Sequence, residues 1–169
     1  MTIRTTNEWI CNSIKESDTD WLIAVFKIRG HYIDSSGIHR QIVNSSSIGK
    51  LQKSVDWTIQ SLRRKLNSSS MKFVPYIGGD RELKVASHVH ALIQVPENQS
   101  MQIVATELNR YWSQMTVRAF KQSVVASVWI DQLDKNRVMN HAYYCERYEG
   151  QTDLKGSEKV MFEWKSCLI

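Results

Sequence analysis

His88 and His90 flank Val89 inside an apolar run from Val85 to Val95. Side chains on a β-strand alternate between faces, so the two imidazoles point the same way and Val89 points the other. Side by side, two ring nitrogens can ligate a divalent cation, leaving positions for an acidic residue, water and a phosphate oxygen. Two polar rings in an apolar strand are also costly to bury without partners. A second cluster lies downstream in Asn140-His-Ala-Tyr-Tyr-Cys-Glu-Arg-Tyr148. On a helix, steps of three and four put His141, Tyr144 and Tyr148 on one face, with Tyr143 and Arg147 on a neighbouring one. A phenol ionises near pH ~10 and becomes a nucleophile when a base or cation favours its anion. Its phosphate ester keeps the energy of a broken phosphodiester, so a strand cut this way can be rejoined without ATP.

These side chains need a scaffold, and the apolar pattern supplies one. Residues 21–29 form a continuous β-prone run bounded by Asp20 and Gly30, which predicts a central strand. A turn-rich stretch follows to about residue 46. Ile48, Leu51, Val55, Ile59, Leu62 and Leu66 then recur at helical steps behind a serine cap, the clearest helix in the chain. Asn67-Ser-Ser-Ser70 ends it.

Residues 72–77 read as a short strand near a sheet edge, because Pro75 has no N–H to donate. Gly78-Gly79-Asp80 reads as a turn into a long strand over residues 83–95, which carries the histidines. A second amphipathic helix is predicted over 100–115, a further strand over 123–130, and a last helix over 136–148 that ends at Gly150. Residues 160–164 are a candidate extra strand in a less readable tail. The order strand, helix, strand, strand, helix, strand, helix calls for an α+β domain, a central antiparallel sheet flanked by helices.

Composition is consistent with that picture. The chain has 169 residues, 42% apolar and 23% charged, with seven Gly and two Pro, the balance of one ordinary globular domain. No apolar stretch is long enough to span a membrane, and the polar N-terminal 20 residues lack a secretory h-region, so a cytoplasmic protein is expected. Cys11, Cys145 and Cys167 match neither a zinc spacing nor a disulfide framework and read as free thiols. The net charge of +5 favours a polyanionic partner. The one Gly-Lys pair, Gly49-Lys50, is followed by Leu51 and lacks an upstream glycine, which excludes a P-loop and with it a helicase motor.

Taken together, His88-Val89-His90 and Tyr144-Cys-Glu-Arg147-Tyr148 resemble the two motifs of the HUH endonuclease superfamily. This group includes rolling-circle replication initiators, relaxases and some single-strand transposases. The second motif looks like the Tyr-x-x-Lys-Tyr element of initiators with two tyrosines, and the likeness covers roughly residues 21–150. It implies a ferredoxin-like or RRM-like sheet layout, with one nuclease domain spanning 1–169, a core over about 20–150, and no helicase domain.

The resemblance further implies metal-dependent transesterification of single-stranded or hairpin DNA at a replication origin. Mg²⁺ or Mn²⁺ would be held by His88 and His90, while Tyr144 attacks and a 5′-phosphotyrosine bond forms. Tyr148 would be available for a second transfer, and Tyr143 competes with Tyr144 for the primary role. The third ligand would come from Asp80 or Glu82 before the histidines, the preferred pair, or from His141, as in transposase relatives. Lys27, Arg29, Arg63, Arg64, Lys65, Arg118 and Lys121 form the pool for DNA binding, and a separate helicase would open duplex substrate.

Two features depart from the family pattern. Arg147 stands where lysine is usual and cannot share a proton in the same way. The first strand is poor in threonine. Ser87, not Asn or Asp, precedes His88, and Tyr148 stands where transposases carry glutamine, which favours the initiator over the transposase alternative. A non-catalytic nucleic-acid-binding domain is the other alternative, because the same layout serves RNA-binding modules.

Overall fold

The computed structural model describes residues 3–28, 31–33, 35–41, 46–80, 85–120, 126–140 and 167–168. In chain order these form α1 (Ile3–Lys15), β1 (Trp21–Ile28), a short hairpin of β2 (His31–Ile33) and β3 (His39–Gln41), and α2 (Ser46–Lys65). They continue with β4 (Phe73–Asp80), β5 (Val85–Gln94), α3 (Met101–Phe120), β6 (Ala126–Gln132) and a 3₁₀ turn at Lys135–Arg137. The main sheet has the order β4-β5-β1-β6 with every pair antiparallel. It is flanked by helices, the α+β layout expected from the element order.

Both faces of the sheet are covered, which explains why β1 reads as an unbroken apolar run instead of an alternating one. Leu22, Ala24 and Phe26 of β1, Val89, Ala91 and Ile93 of β5, and Phe73 and Ile77 of β4 point to one face. There they meet the stripe Leu51, Val55, Ile59, Leu62 and Leu66 of α2, and Val104, Leu108 and Trp112 of α3. All are buried, and full removal of a Val, Leu, Ile or Phe side chain from water contributes roughly 1.5–3 kcal/mol. Phe26 meets Trp112 edge-to-face at 5.0 Å between centroids, and Trp57 meets Tyr111 at 6.0 Å where α2 and α3 cross.

The other face is covered by α1. Ile10, Cys11 and Ile14 are fully buried against Trp21, Val74, Tyr76 and Leu92, together with Leu133 and Val138. Its C-terminal end is tied down twice: the Trp21 indole donates to Ser17 Oγ at 2.8 Å, and Lys135 Nζ donates to the Ser17 carbonyl at 2.7 Å.

Helix α2 ends in a Schellman arrangement. Ser68 N donates to Arg63 O at 2.9 Å and Asn67 N to Arg64 O at 3.2 Å, with Asn67 at φ 50°. Asparagine is among the few side chains that tolerate this left-handed conformation, so Asn67 is the residue that stops the helix.

Four sequence expectations need correction. Gly78-Gly79-Asp80 is not a turn; β4 runs on to Asp80, with a register irregularity between Gly78 and Asp80. The polar N-terminus contains α1, which buries Ile10, Cys11 and Ile14. The stretch after residue 30 contains the β2–β3 hairpin. The last helix opens with the 3₁₀ turn, where the Asp134 side chain accepts from Asn136 N, and residues 138–140 are helical. The candidate strand at 160–164 lies outside the described residues. Pro75 sits on edge strand β4 as expected, and that edge is met at Phe73 by Leu168 through two backbone hydrogen bonds of 2.8 and 3.0 Å. Among the described residues, Cys11 and Cys167 are not joined in a disulfide.

Candidate active site

Strand register puts both histidines on the α1 face of the sheet. Val89 and Ala91 point into the α2–α3 core, so His88, His90 and Leu92 point away from it. Two cross-strand rows result. One runs Tyr76, His90, Val25, Trp129; the next runs Gly78, His88, Lys27, Ser127. Leu92, one step beyond His90 on this face, and Tyr76, paired with His90 across the strands, both pack in the α1 cluster.

The two rings meet edge-to-face with centroids 4.9 Å apart. His88 is buried, at 9% exposure, while His90 is partly exposed and its Nδ1 is enclosed. Gly78 makes room for His88. A Cβ built on that glycine would lie 2.8 Å from His88 Nε2 and 3.1 Å from Cε1, closer than real Cβ contacts come. The pair therefore depends on a residue without a side chain directly across the strand.

Two adjacent imidazoles on a common face can offer two nitrogen ligands to a divalent cation. Among the described residues no group of three or more His, Cys, Asp or Glu is gathered closely enough to complete such a site. The backbone of Asp80 ends β4 two residues beyond Gly78, next to the register irregularity. Irregularities of this kind are common beside active sites because they re-aim side chains. Glu82 and His141 lie outside the described residues, as do Tyr143, Tyr144, Arg147 and Tyr148.

The described chain up to residue 140 packs on this same face. Leu133 and Val138 are buried in the same cluster as Tyr76 and Leu92, with Met139 packed against it. Lys135 pins the 3₁₀ turn to the end of α1.

The basic residues separate into groups. Lys27 lies in the histidine row, between His88 and Ser127 on neighbouring strands, and is partly exposed. Arg63, Arg64 and Lys65 close α2, on the layer that packs against the opposite face of the sheet. Arg63 donates from Nε at 3.0 Å and Nη2 at 2.6 Å to the Met71 carbonyl. Burial pulls its guanidinium below the ordinary arginine value, while Cys167 and Asp56 act in the opposite direction. Arg64 donates to Ser61 Oγ at 3.1 Å. Arg63, Arg64, Gln60 and residues 67–69 line an open cleft of about 450 Å³. Arg118 is near the end of α3, and Arg29 and Lys121 lie outside the described residues.

Gly78, Tyr76 and Trp129 share the histidine rows, a placement that sequence reasoning missed. Gly78 had a legible signal: a glycine inside a strand pattern often marks close approach of another group. Tyr76 and Trp129 had none, because their relation to the histidines exists only through strand register.

No family model and no curated protein matches the sequence. Among solved structures, the chain is similar to the N-terminal nuclease domain of non-structural protein 1 of minute virus of mice. The identity is 14% and the TM-score 0.38, over 95% of this chain and 77% of that one. That viral domain is described as coordinating Zn²⁺ in its active-site pocket and as recognising DNA at the origin of replication. No helix among the described residues is long and apolar enough to cross a membrane.

Proposed function

We propose that the chain is a divalent-metal-dependent endonuclease that nicks and rejoins single-stranded DNA through a tyrosine, in the manner of HUH initiators of rolling-circle replication. The observation that carries this reading is the pair His88 and His90, turned to one side of a central antiparallel strand and seated against Gly78. Support comes from Val138, buried on the same sheet face six residues before Tyr144.

In this reading a bound Mg²⁺ or Mn²⁺ supplies Lewis-acid polarisation of the scissile phosphate. His88 and His90 would each contribute a ring nitrogen to it, and Asp80, Glu82 or His141 would be the further ligand. Tyr144 loses its phenolic proton and attacks phosphorus in line; the 3′-oxygen leaves and takes up a proton, and the 5′-phosphate stays on the tyrosine. Tyr148 would carry out a second transfer, and Arg147 would hold a phosphate oxygen. Lys27, Arg29, Arg118 and Lys121 contribute positive charge along the strand. The chain acts as one domain, and a partner helicase supplies unwinding where the substrate is duplex.

The test is incubation with single-stranded and hairpin oligonucleotides plus Mn²⁺, followed by denaturing gels and mass spectrometry. A metal-dependent covalent adduct, lost in Tyr144→Phe and in His90→Ala, supports the proposal. Loss in Tyr143→Phe alone moves the nucleophile by one residue. Binding that ignores metal and yields no adduct across the panel identifies a non-catalytic nucleic-acid-binding domain instead.

A further inference from the structure

Trp129 is 54% exposed on β6, the edge strand beyond β1. Val128 and Ile130 on either side of it pack against the α2–α3 core, so the indole projects from the histidine face. Val25 stands between Trp129 and His90 in one cross-strand row, which sets the two about two strand spacings apart, roughly 10 Å. Among the described residues the other large exposed apolar side chains are Trp9, Ile38, Ile103 and Leu168. They are borne by α1, the β2–β3 connection, α3 and the C-terminal tail, not by the histidine face of the sheet. A bare indole on an edge strand is a liability for association.

Charge around the indole is asymmetric. Lys27 pairs with Ser127 and is the diagonal cross-strand neighbour of Trp129, roughly 7 Å away between backbones. It also stands directly beside His88. Asp131, exposed, follows Trp129 by two residues on the same strand and face, opposite Ile23 and away from Lys27. A phosphate is drawn toward Lys27 and repelled from Asp131, so the favourable direction from the indole leads to the histidines.

We propose that Trp129 and Lys27 form a one-nucleotide platform, the indole stacking a base and the ammonium holding its phosphate, which feeds a single DNA strand toward His88 and His90. This rests on the single-strand reading above and adds a positioning contact that the histidine and tyrosine motifs do not include. Stacking on an aromatic face tolerates every base, so the platform acts without sequence preference.

The experiment uses the full chain in EDTA, with fluorescence anisotropy of labelled oligo-dT and a set of oligonucleotides in which one abasic site is moved along the strand. Trp129→Ala is expected to weaken binding roughly 5- to 150-fold, and Trp129→Phe to keep most of the affinity. Lys27→Met is expected to lower the slope of log affinity against log salt by about 0.7, which Trp129→Ala leaves unchanged. One abasic position should weaken wild type but not Trp129→Ala. Wild-type affinity in Trp129→Ala, or an abasic penalty equal in both proteins, overturns the platform and leaves the nuclease proposal standing. Failure of wild type to bind any single strand overturns both. Trp129 lies outside the core, so thermal melts of the variants should match wild type, and a lowered melt in Trp129→Ala counts against the platform.

Discussion

Gly78 faces His88 across the β4–β5 pair, and the space that a Cβ on Gly78 would occupy comes within 2.8 Å of the His88 Nε2. Glycine here does not serve a turn. It lets the imidazole lie down against the neighbouring strand.

Gly78→Ala is therefore expected to turn the His88 ring away from its present position while leaving the fold intact. The ring is the far end of a side chain and moves more readily than backbone. Affinity for Mn²⁺, followed by electron paramagnetic resonance or calorimetry, should fall about 10- to 100-fold, the scale seen when the shell supporting a ligand is disturbed. Unchanged Mn²⁺ affinity would show that the His88 orientation is immaterial to the site.

Ile59 is fully buried at the middle of the α2 stripe, among residues from all of the central strands. Ile59→Ala should lower stability by about 2–5 kcal/mol in urea unfolding, the combined effect of lost transfer energy and a residual cavity. A loss well below 1 kcal/mol would mean that α2 does not pack on the sheet as described.

Arg63 joins the end of α2 to the start of β4 through two hydrogen bonds onto one carbonyl, that of Met71. Arg63→Met should destabilise the chain by about 1.5–3 kcal/mol, since it removes a charged donor from a partly buried acceptor. Arg63→Lys should recover only part of this, because an ammonium lacks the planar fork that serves both bonds. Equal stability of all three proteins would place the guanidinium outside the structural framework and return it to the pool available for DNA.

By itself, the amino-acid sequence determined what depends on local pattern. Steps of three and four in Leu51, Val55, Ile59, Leu62 and Leu66 specify one buried helix face, and all five are buried. Alternation put His88 and His90 on a common face, because a strand has a period of two wherever it sits in a sheet. The antiparallel α+β layout also followed, from element order and short connections.

Tertiary structure alone decided which residues from distant segments became neighbours. Register brought Gly78, Tyr76, Lys27 and Trp129 into the histidine rows, and a shift of one residue would have sent each to the opposite face. Helix α1 escaped notice because its few apolar positions, Ile10, Cys11 and Ile14, are meaningful only against Trp21, Tyr76 and Leu92, which a linear reading does not place beside them. Local periodicity is written in adjacent residues. Cross-strand proximity is a property of the packed sheet, and the choice of register belongs to the whole core.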